Sequence, residues 1–200
     1  MEEGANTGRA GSSFIKDGAG TGRIDSRRVY TGKIVSLDVD TVRFPDGSTG
    51  ELEMVRHPGA SAVVPFLSDP RSDDPQVLLI RQYRYAADGY LFEIPAGRLD
   101  QGEAPHDCAL RELKEETGCT AEHMDYLITF YTTPGFTDEK IHLFMATGLS
   151  AGETKHEADE FLDLQPMLLS QALERVESGE IQDAKTVIGL LFAAGFRAGR

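Results

Sequence analysis

No apolar run in the chain approaches the roughly 20 residues that a helix needs to span a bilayer. The polar, glycine-rich N-terminus also lacks the apolar core of a secretory signal. The chain is therefore expected to be soluble and cytoplasmic, with no membrane partner. Cysteine is scarce too: Cys108 and Cys119 are the only two. Both flank an acidic stretch, and neither has companions at metal-ligand spacing, so they are expected to be small buried thiols and not a disulfide or a zinc site. His57, His106, His123 and His142 show no zinc spacing either. Basic charge is also in short supply. A formal net charge of -13 argues against binding duplex nucleic acid, whose phosphate backbone needs a basic surface. A small anionic substrate stays open, because a bound cation can reverse the local field.

What remains is 200 residues, 40% of them hydrophobic, enough for one sizeable core with a small appendage. Residues 1–27 open on a Gly- and Ser-rich stretch without hydrophobic periodicity and are expected to form a disordered arm. Strand-like residues then run from Tyr30 to Phe44, and the turn signal Pro45-Asp46-Gly47 leads to a second strand around residues 52–55. Residues 28–58 thus read as an antiparallel β-hairpin subdomain, too small to stand alone. Further strands are expected over residues 60–66, 76–84, 91–94, 124–131, 140–147 and near 161–164. Helices are expected from Pro105 to Thr117, over 168–178 and from residue 184 to about 198. Strands mixed with a few helices, without regular alternation, indicate an α+β class for residues 59–200.

The helix from Pro105 to Thr117 holds the chemistry. Pro105 suits a first turn and Gly118 a stop. Glu112, Glu115 and Glu116 stand at i, i+3 and i+4, on one face, where like charges repel by a few tenths of a kcal/mol per pair, roughly. A cationic neutraliser is expected. Oxygen-only ligands suit a hard ion such as Mg2+, which keeps several waters and sits beside substrate phosphates.

The spacing is Gly97, five residues, Glu103, seven residues, Arg111-Glu112-Leu113, one residue, Glu115-Glu116, one residue, Gly118 and Cys119. It resembles in full the Nudix box of the Nudix hydrolases. Cys119 is the one departure, at a position where that family usually has an aliphatic residue. The resemblance implies the Nudix fold, a mixed β-sheet sandwiched by helices. It also implies that Glu112 and Glu116, with Glu115 and the carbonyl of Ala96, hold Mg2+, with Mn2+ as a possible substitute. Arg111 is placed to orient Glu115 at i+4. The family cleaves a nucleoside diphosphate linked to another moiety, and the box alone does not say which.

Outside the box, Arg81-Gln82-Tyr83-Arg84-Tyr85, the Leu91-to-Gly97 approach, His57-Pro58-Gly59 and the Pro134-Gly135 loop resemble the ADP-ribose pyrophosphatase branch. That likeness implies Mg2+-dependent hydrolysis of ADP-ribose to AMP and ribose 5-phosphate. It implies substrate contacts from Arg56 and Arg84 to the diphosphate, Glu139 to ribose hydroxyls and Tyr30 to adenine, with Gly135 in the Pro-Gly loop. The likeness also implies that the general base comes from the acidic loop around His156, at Glu157, with Asp159 and Glu160 behind it. A flexible loop suits a base that arrives once substrate is bound. A homodimer sharing its site through the hairpin is also implied. Two alternatives stand beside this: a pyrophosphatase for another nucleoside diphosphate sugar, and a catalytically silent nucleotide-sensing module.

Overall fold

The computed structural model describes residues 20–152 and 161–198. The chain forms two units, Met1–Val55 and Arg56–Arg200. In the first, strands β1 (Gly22–Thr31), β2 (Ser36–Arg43) and β3 (Thr49–Arg56) form one sheet in the order β1-β2-β3. The expected hairpin is therefore three-stranded, and it begins at Gly22, inside the stretch expected to be disordered. The long strand expected from Tyr30 to Phe44 is broken by a turn in which Gly32 N–H donates to the Val35 carbonyl at 2.9 Å. A side chain at position 32 would lie 2.8 Å from the Tyr30 ring, so the turn is closed by a glycine that composition alone did not mark. The Pro45-Asp46-Gly47 turn forms where expected, with Asp46 accepting from Ser48 N–H at 2.9 Å. Asp38 and Asp40 are buried on β2, where Arg28 and Ser26 of β1 bond them.

The second unit is built on two sheets. One has the order β7-β4-β9-β8, from β4 (Ala60–Pro65), β7 (Ala96–Arg98), β8 (Thr120–Tyr131) and β9 (Lys140–Ser150). It is mixed: β4 runs parallel to β9 and antiparallel to β7. The other has the order β10-β5-β6, from β5 (Gln76–Arg84), β6 (Gly89–Glu93) and β10 (Leu162–Leu168), and is antiparallel. Helices α1 (Pro105–Thr117), α2 (Leu169–Glu177) and α3 (Ala184–Ala198) complete it.

Strand β4 shows why helices sit on both sides. Its Ala62 and Val64 join the core beneath α2 and α3, whereas Val63, facing the other way, packs with Ala109 and Leu113 of α1. Alternate residues of a strand point to opposite faces. A strand buried on both faces reads as an unbroken apolar run, as 62–66 does. The expected layering, a mixed sheet between helices, is the one observed. Among the described residues no helix is long and apolar enough to cross a membrane.

The segment reaching α1 departs from expectation in one respect. No strand is expected between residues 94 and 105, yet Ala96–Arg98 pairs with β4, Ala96 opposite Ala62. Ser61 at the start of β4 also donates to the Pro105 carbonyl at 2.7 Å. The sheet thus holds both ends of the loop between β7 and α1. Gly118, left-handed at φ 71°, ends α1 by donating its N–H to the Lys114 carbonyl at 2.9 Å.

Candidate active site

Helix α1 buries Cys108, Ala109, Glu112, Leu113, Glu116 and Thr117. Two carboxylates therefore lie on its inward face, among apolar neighbours, and buried charges need partners. Glu116 accepts the Ala96 backbone N–H at 2.9 Å. Glu112 is pressed against Gly97 so closely that a Cβ at that position would lie 1.9 Å from its Oε1. Gly97 has no positive φ. The residue is needed for space, and not for its backbone conformation.

Arg111 binds three of the box's carboxylates at once. Its Nε and one terminal nitrogen donate to Glu103 at 2.8 and 2.9 Å, and the other terminal nitrogen donates to Glu112 at 2.5 Å and Glu115 at 3.1 Å. It also donates to the Arg98 carbonyl at 3.1 Å. These bonds raise the Arg111 pKa and hold the Glu103 carboxyl down at about 2, with Arg111 the largest cause. The cationic neutraliser expected for the glutamates is therefore, for Glu112 and Glu115, the neighbouring guanidinium. Glu115 is the outermost of the three, with its side chain 39% exposed.

The same backbone lines a cleft of about 430 Å³, together with Arg84, Glu139, His57, Asp183 and Lys185. Arg84 makes a bidentate pair with Glu93 at 2.6 and 2.8 Å. Glu93 is 1% exposed and is also bonded by Lys185. Burial alone would push its carboxyl up; Arg84 and Lys185 outweigh that and leave it below its ordinary value. Lys185 bonds Asp183 as well, at 3.0 Å. Asp183 caps α3 by accepting from Thr186 N–H at 3.0 Å and its hydroxyl at 2.6 Å, and the Thr186 oxygen accepts Ile94 N–H at 2.8 Å. The chain of bonds ties α3 to the end of β6.

Glu139 accepts the Thr132 hydroxyl at 2.9 Å, and its other oxygen lies 3.3 Å from Nδ1 of His57. Arg56 pairs with Asp138 at 3.1 Å, and the same carboxylate takes His57 N–H at 2.9 Å. Of the residues singled out from sequence, Arg84, Ala96 and Glu139 meet on the one cleft, and Glu112 and Glu116 stand against the Ala96–Gly97 backbone that lines it. Gly135 is not among the residues lining that cleft and faces open space. Tyr30 belongs to the N-terminal sheet, 60% exposed. Glu157, Asp159 and Glu160 lie outside the described residues. The sequence reading missed Glu93, Lys185, Asp183 and His57. A lone carboxylate between Phe92 and Ile94 was a usable signal for Glu93, since a charge in an apolar strand needs a partner; Lys185 carries none.

The donor set suits a hard divalent cation. It is all oxygen: two carboxylates brought by the Gly97 gap and the Ala96 N–H against one stretch of backbone. Among the described residues no three Asp, Glu, His or Cys side chains form a cage by themselves. A cation held by Glu112 and Glu116 would therefore take its remaining ligands from backbone, water and substrate oxygens, as Mg2+ commonly does.

A family model, NUDIX domain, matches residues 56–187. A methanol dehydrogenase activator from Bacillus methanolicus is 43% identical over 171 residues, covering 84% of this chain and 90% of that protein. An ADP-ribose pyrophosphatase from Bacillus subtilis (strain 168) is 40% identical over 171 residues, with the same coverage of 84% and 90%. The crystal structure of an ADP compounds hydrolase shares the fold at a TM-score of 0.76 and 21% identity, covering 90% of this chain and 96% of that one. With the box spacing in place and most of the second unit matched, the chain belongs to the Nudix hydrolase family.

Proposed function

We propose that the protein hydrolyses the diphosphate of ADP-ribose, releasing AMP and ribose 5-phosphate, with Mg2+ as the working cation and Mn2+ as a substitute. The observation that carries this reading is the meeting of Arg84, Glu139 and the Ala96–Gly97 backbone on one cleft, with Glu112 and Glu116 packed against that backbone. Similarity to a protein named ADP-ribose pyrophosphatase supports the choice of substrate.

Glu112, Glu116 and the Ala96 carbonyl would hold the cation, which when bound neutralises diphosphate charge and acidifies water. Arg111 fixes Glu112 and Glu115 by its bonds to both, a positioning task. Glu115 is the further carboxylate of that set, the one with most solvent around it. Arg84, locked in orientation by Glu93, presents a planar guanidinium suited to phosphate oxygens. Glu139 is assigned to the terminal ribose hydroxyls, which a carboxylate accepts well. Arg56 is assigned to the diphosphate, Tyr30 to the adenine face and Gly135 to the loop beside the substrate. Water adds across a P–O bond, and its proton goes to a base, assigned to Glu157 with Asp159 and Glu160 as alternates. The active species is assigned as a homodimer.

The test is incubation with Mg2+ and a panel of ADP-ribose, a GDP-hexose and a UDP-sugar, followed by identification of the nucleotide released. AMP from ADP-ribose at the highest kcat/KM is the expected result. Preference for another sugar nucleotide would move the substrate while keeping the chemistry, and binding without release would mark a sensing module.

A further inference from the structure

Gln82 is a buried side chain that the chemistry above does not use and the fold does not satisfy. It lies on β5, 5% exposed. Its Oε1 is fully enclosed and is the one buried side-chain polar atom among the described residues with no hydrogen-bond partner. Folded proteins leave few such groups, because an enclosed polar atom without a partner lowers stability.

Strand pairing locates the amide. Gln82 stands opposite Leu162 of β10 and Leu91 of β6, and Ile80 stands opposite Glu93. Opposed residues of an antiparallel pair share a face, as do residues two apart on one strand. Glu93, Ile80, Gln82 and Arg84 therefore share one face. Arg84 is four residues beyond Ile80 in sequence, yet its guanidinium bonds Glu93. Its side chain must fold back along the strand, over the row that holds Gln82. Gln82 thus stands in the row between Arg84 and Glu93, and its amide oxygen bonds neither. That guanidinium lines the cleft with Ala96 and Gly97 and feels the charge of Glu116.

We propose that the Gln82 amide receives an O–H donor brought by the bound cation and nucleotide, and is a further binding residue of the site. The inference rests on the reaction proposed above. A phosphoryl oxygen is not the partner, since an ionised diphosphate accepts hydrogen bonds and donates none. Water carried by the cation and a ribose hydroxyl remain. Each has an O–H to donate to the Oε1 acceptor.

The test is Gln82→Leu, close in size and without the polar atoms, with Gln82→Met as a second variant. Removal of an unpartnered amide is expected to raise the melting temperature of the free protein, by roughly 2–4 °C. Ligand binding is expected to weaken about tenfold in the same variants. Two calorimetric titrations identify the donor: Mn2+ alone, and α,β-methylene ADP-ribose in the presence of Mg2+. Weaker Mn2+ binding without nucleotide assigns the donor to cation-bound water. Unchanged Mn2+ binding with weaker analogue binding assigns it to a ribose hydroxyl. Wild-type affinity for both ligands, or a lower melting temperature, overturns the proposal. The Mn2+ titration needs no nucleotide, so an error in the substrate assignment shows in the product assay and leaves this arm readable.

Discussion

The carboxylate of Glu112 fills the space a side chain at position 97 would take: a Cβ on Gly97 would lie 1.9 Å from Oε1 and 2.0 Å from Cδ of Glu112. The obstructing atoms are the far end of a flexible side chain, so Gly97→Ala is expected to displace the carboxylate and spare the fold. Stability should fall by about 1 kcal/mol, while turnover should fall by about 100-fold or more, the usual effect of misplacing a reacting group by an ångström. Thermal melts beside steady-state kinetics separate the two effects. Wild-type turnover would show that Glu112 need not sit there.

Glu93 holds two cations of the cleft, Arg84 and Lys185. Glu93→Gln keeps the shape but removes the charge that holds Arg84 and Lys185. Leaving a buried charge unpaired commonly costs 3–5 kcal/mol or so. Here the Arg84 side chain is 40% exposed and Lys185 keeps Asp183, so a loss of roughly 2–3 kcal/mol is expected. With Arg84 no longer oriented, KM should rise by more than kcat falls. Urea unfolding and a Michaelis series read both quantities, and an unchanged unfolding midpoint would contradict the role.

Acid sensitivity follows from Glu103. Its carboxyl drops from an ordinary 4.5 to about 2, chiefly through Arg111. A depressed carboxyl pKa stabilises the fold fully above the unfolded value and loses that contribution as pH falls through the folded one. The window thus runs from about pH 4.5 down to about 2. Glu103→Gln should lower stability at pH 6 and flatten the decline across that window. Parallel melting curves for variant and wild type between pH 2 and 5, at roughly constant offset, would remove Glu103 from the account.

Much of this architecture was legible because it is written in local periodicity and punctuation. Pro105 and Gly118 bracket α1 as expected, and the apolar 60–66 run marked the strand β4. Gly32 was not legible, since a lone glycine in a strand-like run gives no local sign of a turn. It was the likeness to the Nudix box that singled out Glu112 and Glu116. Their charge was a poorer guide, because Arg111 already neutralises Glu112 and Glu115, and repulsion by itself demanded no metal. Lys185 and Asp183 were invisible: they lie 101 and 99 residues from Arg84 in the chain, and only the packing of α3 against β6 brings them to Glu93. Tertiary partners of a buried charge leave no spacing to read.

The central claim is that Glu112 and Glu116, against the Ala96–Gly97 backbone, operate on the diphosphate. Glu116→Gln tests it most directly, because the amide oxygen of glutamine can still accept the Ala96 N–H and the fold should survive. With Mg2+ and ADP-ribose, the expected result is a wild-type circular dichroism spectrum and a kcat lowered by about 1,000-fold or more. Near-normal release of AMP from the folded variant would contradict the claim.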